Sequence, residues 1–252
     1  MTSLVQKKFG EAAADYAASS VHAKGESLKR LVALVRPARS WRVLDVATGA
    51  GHTALAFAPH VAKVTASDIT EEMLAEARRL AAERGFGNVK TARAKADDLP
   101  FPDMSFDCVT CRLAAHHFGK PQAFASEAFR VLMPGGTLAL VDNISPEEPD
   151  LARAYNHFEK LRDPSHGRCL SLTEWTKLLG DQGFVLAHSE EMDQDIAFLP
   201  WVTRMRCSAP TVARLEALLR EEPLRSSLRP RMEDGGLTFT LREAIILARK
   251  PA

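Results

Sequence analysis

Val43-Leu44-Asp45-Val46-Ala47-Thr48-Gly49-Ala50-Gly51-His52 is the stretch that decides the fold. It opens as a buried-type strand, turns on small residues and enters a helix. Glycines in such a turn let backbone N–H groups come close to a ligand. Asp68 closes the next strand, 19 residues after Gly49, in place to accept hydrogen bonds from ribose hydroxyls. Gly49 to Ala54 also fits the dinucleotide pattern GxGxx(G/A), so the glycines alone leave a nicotinamide-dependent oxidoreductase open. Asp45 is the discriminating residue in this reading. At the mouth of the first strand its carboxylate would repel a pyrophosphate and suit a cationic amino group.

Outward from this turn, strands and helices alternate. Arg42–Val46, Val61–Ser67, Asn88–Ala94, Ser105–Leu113 and Thr137–Asn143 read as strands. Helices are expected from Thr53, from Thr70 to about Arg84, and over Pro121–Leu132. Thr70 is an N-cap candidate, and Glu71 and Glu72 suit the positive end of the helix dipole. This alternation predicts an α/β fold with a doubly wound parallel sheet. Residues 144–182 read as a helical insertion, and 199–232 as a second, Arg-rich one between the last two strands. Phe184–Phe198 and Leu237–Arg249 each contain a strand. Upstream, Val5, Phe9, Ala12, Ala13 and Tyr16 recur at helical spacing, as do Leu28, Leu31, Val32 and Val35, so residues 1–37 read as a helical lid. The expectation is one domain over 1–252, with these helices capping the sheet.

With 46% apolar and 26% charged residues over 252 positions, disordered, fibrous and collagen-like chains are excluded. The formal net charge of +1 gives no sign of a polyanion binder, and nucleic acid is not an expected partner. No apolar run approaches the ~20 residues that span a bilayer. Four cysteines do not make a disulfide framework, and the reading is of a reduced, cytoplasmic protein. Cys108-x-x-Cys111 is discounted as a metal site, because residues three apart on a strand face opposite sides; no metal is expected.

Four segments in order carry a resemblance: VLDVATGAGHTALAFA, VTASDIT, LPFPDMSFDCVTCRLAAHHF and FRVLMPGGTLALVDN. Together they resemble the class I S-adenosylmethionine-dependent methyltransferases, in particular the UbiE-like type of ubiquinone and menaquinone biosynthesis. The resemblance spans residues 40–145 and implies a Rossmann-like seven-stranded sheet with the last strand antiparallel. It implies that Asp45, Ala47, Thr48, Gly49 and Gly51 hold the methionine part of the cofactor and Asp68 the ribose. Ile69 and Met73 would flank the adenine, Lys95 and Ala96 its edge, and Arg112 and Leu113 the sulfonium side. The product would be S-adenosylhomocysteine. The acceptor would be a small molecule, with carbon or oxygen methylation of an aromatic or quinone-like compound as the expected reaction. Lys95 departs from the pattern, which usually has Asp or Asn there to accept from the adenine amino group; lysine donates and cannot accept. A member of the fold that binds without turnover is therefore the third reading.

His116 and His117 follow the fourth strand at the end of the sheet where such folds bind ligands. Either is a candidate base for an acceptor that must lose a proton, His117 first, since imidazole titrates near neutrality. A second polar group comprises Asp142, Asn143, His157, Asp163, His166 and Arg168. Asp163-Pro164-Ser165-His166 is also ordinary turn chemistry. Asn143, His166 and Arg168 are the substrate-side candidates, with His22. Tyr16 is a candidate to close over the cofactor. The Arg-rich 199–232 segment would cap the acceptor pocket or form a homodimer contact.

Overall fold

The computed structural model describes residues 25–233 and 235–252, together with Gln6, Gly10 and Ala13. Its sheet is built from β1 (Arg42–Val46), β2 (Lys63–Asp68), β3 (Val89–Arg93), β4 (Phe106–Arg112), β5 (Leu132–Asn143), β6 (Val185–Ala197) and β8 (Gly236–Arg249), with the short β7 (Arg231–Glu233) as an appendage. The order is β3-β2-β1-β4-β5-β8-β6, and β7 pairs with β8 off this path. All neighbours from β3 to β5 are parallel, and β8 runs antiparallel to both β5 and β6. The expected doubly wound sheet with an antiparallel last strand is therefore present, and β7 is an addition to it.

Strands buried on both faces need helices on both sides. Leu44, Val46, Val109, Cys111 and Leu140 face one layer, containing α4 (Pro121–Val131) and α6 (Leu172–Asp181). Val43, Val64, Cys108, Ala139 and Val141 face the other, with α1 (Glu26–Val35) and α2 (His52–Phe57). Cys108 and Cys111 thus lie in opposite layers, as strand alternation requires. α1 buries Leu31 and Val35 in this second layer. Residues 26–35 therefore belong to the sheet's packing and correct the lid reading for that part of 1–37.

α3 (Glu71–Glu83) starts with Thr70 at its N-cap position, but the Thr70 side chain does not cap it. The 144–182 insertion consists of α5 (Pro149–Arg162) and α6, the latter opened by a capping box of Ser171 and Glu174. Between β6 and β8 lie α7 (Phe198–Arg204), α8 (Ala209–Arg220) and α9 (Leu224–Leu228). These three and α5 bury Tyr155, Phe158, Trp201, Leu215 and Leu219 against Phe239 and Leu241 of β8. The Arg-rich stretch thus has its own apolar core over the projecting end of the β6–β8 pair. Its exposed arginines meet acidic partners, among them Arg229–Asp193 and Arg231–Asp195.

Candidate functional site

The turn after β1 is tight. Ala47 has φ +52°, Gly49 φ +54° and Gly51 φ +87°. A left-handed alanine carries a steric cost that glycine avoids. A Cβ on Gly51 would lie 2.9 Å from the Ala77 Cβ, so this glycine lets α2 and α3 meet closely. One on Gly49 would find only the Met73 Sδ, 4.0 Å away. The two glycines therefore serve different ends: Gly49 keeps the loop's cavity side open, while Gly51 serves helix packing and does not line the cavity.

Asp45 differs from expectation. It is buried under the loop and does not line the cavity. Its Oδ2 accepts from the Thr48 hydroxyl at 2.5 Å and from Ala54 N at 3.1 Å, and its Oδ1 from the Thr110 hydroxyl at 2.6 Å. Burial pushes its pKa up to about 6, against the pull of Thr110, Thr48, nearby Arg112 and the Ala54 N–H. Asp45 thus pins the loop to β4 and α2, and a direct contact with a ligand's amino group is not part of this arrangement. Asp68 does line the cavity. It accepts from Gly49 N and Thr70 N, each at 2.9 Å, which ties the end of β2 to the glycine loop.

The cavity has a volume of about 330 Å³. Its wall runs from Ala47, Thr48 and Gly49 past Asp68, Ile69 and Met73 to Lys95, Ala96 and Asp97, and returns through Arg112, Leu113, His117 and Phe118. Ala47, Thr48, Gly49, Asp68, Ile69, Met73, Lys95, Ala96, Arg112, Leu113 and His117 are thereby brought together as the sequence predicted. Asp97 joins Lys95 on the wall, whereas Asp98 pairs with Lys95 through its backbone and is not on the wall. Tyr16 and His22 lie outside the described residues.

The two adjacent histidines separate. His116 turns away from the cavity into Asp142, whose carboxylate accepts from His116 N at 2.7 Å and meets the ring Nδ1 at 2.6 Å. Burial opposes charge on His116, but Asp142 outweighs it, with help from Glu159 and Asp163, and the pKa is raised. His117 faces the cavity with its Nδ1 3.1 Å from the Ser165 carbonyl oxygen, which requires Nδ1 to carry the proton. Its Nε2 lies 3.9 Å from the Asp163 carboxylate. Burial and the neighbouring His116 push its pKa down to about 4, against Asp163. This corrects the expectation of titration near the ordinary imidazole value.

Asn143, His166 and Arg168 do not reach the cavity. His166 is buried, with Nε2 2.9 Å from the Asn156 Oδ1, and burial and His116 push its pKa down to about 3. Arg168 pairs with Glu174. The 163–168 loop is instead a buttress: Gly167 N and Arg168 N both donate to the His116 carbonyl at 2.9 Å. Asn156 and Glu159 escaped the sequence reading. They fall on the face of α5 that carries Ala152 and Tyr155, and polar residues at that helical spacing were the available signal. Among the described residues no group of three or more His, Cys, Asp or Glu could hold a metal ion, and no helix is long and apolar enough to cross a membrane.

A methyltransferase-domain family model matches residues 44–140. The uncharacterized methyltransferase YcgJ of Bacillus subtilis is 40% identical over 196 residues, 78% of each chain. Its crystal structure superposes with a TM-score of 0.85, covering 90% of this chain and 98% of that one. The Bacillus halodurans protein BH2331 gives a TM-score of 0.86 at 38% identity, covering 90% of this chain and 100% of that one. A ubiquinone/menaquinone biosynthesis C-methyltransferase from Marinomonas is 33% identical over 133 residues, 51% of this chain and 53% of its own.

Proposed function

Because the chain belongs to the class I S-adenosylmethionine-dependent methyltransferase family, we propose that its cavity binds S-adenosylmethionine beside His117 and serves methylation of a small aromatic or quinone-like acceptor. The observation that carries this reading is one continuous cavity joining the glycine loop, the Asp68 carboxylate and the His117 turn.

The residues fit this occupant. The space at Gly49 admits close backbone approach, and Asp68 is aimed by two backbone N–H groups while still lining the wall. Ile69 and Met73 provide apolar flanks for a flat base. When bound, the cofactor supplies an electrophilic methyl group on a sulfonium sulfur. The chain's own task is then alignment, exclusion of water and, for a protonated acceptor, removal of one proton.

His117 suits the proton-removing role. Donation of its Nδ1–H to Ser165 leaves Nε2 to accept, and the Asp163 carboxylate 3.9 Å away stabilises the cation formed on protonation. The depressed pKa keeps the ring neutral, and so able to accept, across the neutral range. Leu113, Ala114, Phe118 and Phe124 make the neighbouring wall apolar, which suits an aromatic acceptor. The UbiE-type relative adds support for a quinone-like one.

Calorimetry with S-adenosylhomocysteine, followed by transfer of labelled methyl from S-adenosylmethionine to a panel of phenols and demethylquinols, tests the proposal. Binding with transfer to a member of the panel is expected. Failure to bind S-adenosylhomocysteine would remove the cofactor reading; binding with transfer only to amine, nucleic-acid or protein acceptors would remove the acceptor class.

A further inference from the structure

We propose that His116 holds the single positive charge of three neighbouring imidazoles, His117, His116 and His166, and by holding it keeps His117 neutral and able to take a proton. His116 is thus a positioning residue for the base, and this rests on the reading of His117 given above.

The three rings lie in a row. His116 stands in the middle, its ring centroid 4.2 Å from that of His117 and 5.5 Å from that of His166. Each ring has a different polar neighbour. His116 Nδ1 meets one Asp142 oxygen at 2.6 Å, and the other Asp142 oxygen accepts from His116 N at 2.7 Å. Gly167 N and Arg168 N donate to the His116 carbonyl, so the ring and its backbone are fixed together. His117 Nδ1 donates to the uncharged Ser165 carbonyl, with Asp163 3.9 Å from its Nε2. The other Asp163 oxygen is engaged by Ser165 N at 2.8 Å and by the Ser165 hydroxyl at 2.6 Å. His166 Nε2 meets the Asn156 Oδ1. Asn156 Nδ2 donates to the carbonyls of Ala152 and Cys169, which fixes the amide and makes His166 the donor.

Charged groups approach the row from each element around it. β5 brings Asp142, and the 163–168 loop brings Asp163. α5 brings Glu159, 3.7 Å from Arg162, and Lys160, which donates to the His166 carbonyl. Lys95, Arg112 and Lys120 share the cavity wall with His117. The carboxylate at hydrogen-bond distance from a ring is the one on His116. Two imidazolium ions this close in a buried setting repel strongly, so the row favours one charge, and the ring paired with Asp142 is the one to carry it. The pKa directions agree. Burial and His116 push His117 down to about 4 and His166 down to about 3, while at His116 Asp142 outweighs burial. A proton taken up by His117 then sits beside an existing cation, which favours its release after the transfer.

The test follows the ring resonances of isotope-labelled histidine by NMR as pH is varied, with His117→Gln and His166→Gln spectra for assignment. In the native protein at neutral pH, His116 is expected in its cationic form and the other two rings in their neutral form. His116→Asn keeps a donor where Nδ1 stood and removes the charge. The His117 midpoint should then rise by about 1–3 pH units, and the acid limb of methyl transfer should rise with it. Asp142→Asn should lower the midpoint of His116 itself. A native protein whose cation sits on His117 or His166, or in which all three rings are neutral, would overturn the proposal without any variant. So would a folded His116→Asn protein whose His117 midpoint does not move, since burial alone would then keep that ring neutral. A His117 midpoint that rises while the acid limb stays would support the charge arrangement and remove His117 as the base.

Discussion

Gly49 and Gly51 sit two residues apart in one turn, both with positive φ, and alanine at each should fail for a different reason. The left-handed conformation costs an alanine about 1–2 kcal/mol at either position. At Gly49 nothing is added, because the new Cβ meets only the Met73 Sδ at 4.0 Å. At Gly51 the Cβ would lie 2.9 Å from the Ala77 Cβ and 3.2 Å from its Cα, so α3 must move as a backbone. Overpacking of this kind adds roughly 1–3 kcal/mol. Gly51→Ala should therefore lose about 2–5 kcal/mol and Gly49→Ala about 1–2 kcal/mol. At ~2–4 °C per kcal/mol for a chain of this size, thermal melts should separate the variants clearly. The order reverses for ligand. Gly49→Ala, on the cavity wall, should bind S-adenosylhomocysteine more weakly, while folded Gly51→Ala should bind nearly as well as the native protein. Melting temperatures that coincide, or a larger binding loss in Gly51→Ala, would refute the division of labour between the two glycines.

Asp45 carries a folded pKa of about 6, above its unfolded value, so its contribution to stability is present below about pH 4 and is lost as pH rises through 6. Chemical denaturation of the native protein and Asp45→Asn should show the stability difference, native minus variant, falling by roughly 2 kcal/mol from pH 4 to pH 7; a flat difference would refute it. His117 is depressed to about 4, so its contribution is intact above the ordinary imidazole pKa and is lost as pH falls toward 4. With His117 as the base, methyl transfer to a phenol should hold its rate down to about pH 5 and fall below it, and an acid limb near pH 6.5 would contradict the assignment. Lys95→Asp should tighten S-adenosylhomocysteine binding by roughly 0.5–1.5 kcal/mol by supplying an acceptor; Asp97→Ala should change it little, and a large loss there with no gain from Lys95→Asp would assign the acceptor role to Asp97.

The strand–turn–helix of residues 42–57 was legible because its signals are local: a run of apolar residues, then glycines, then a helix start. Asp45 was misread because its setting is not local. The strand position was right, but the Thr110 hydroxyl that engages it arrives from β4, 65 residues on, and the loop folds back over it through Thr48. The two histidines share a sequence environment and differ only in what stands opposite each ring: Asp142 for His116, Ser165 and Asp163 for His117. The Asp163-Pro164-Ser165-His166 turn was recognised as a turn. Its docking on the His116 carbonyl depends on Gly167, where a Cβ would stand 2.8 Å from that oxygen. Residues 199–232 were legible as helical and Arg-rich; the apolar core that they form with α5 over the end of β8 is a tertiary fact that no window along the chain contains.

The last strand of the sequence is an interior strand of the sheet. β8 fills the gap between β5 and β6, so until residues 236–249 are in place β5 ends in a row of unpaired backbone groups and β6 has no neighbour at all. During synthesis the first five strands can collapse on their helices while this open edge waits for residues 236–249, exposed to pairing with other strands. Loss of even the final few β8 residues removes partners of both Thr137 on β5 and Val185 on β6. Truncations that reach into residues 236–249 should therefore not be tolerated, and chains cut within that strand should aggregate rather than persist as a smaller folded core.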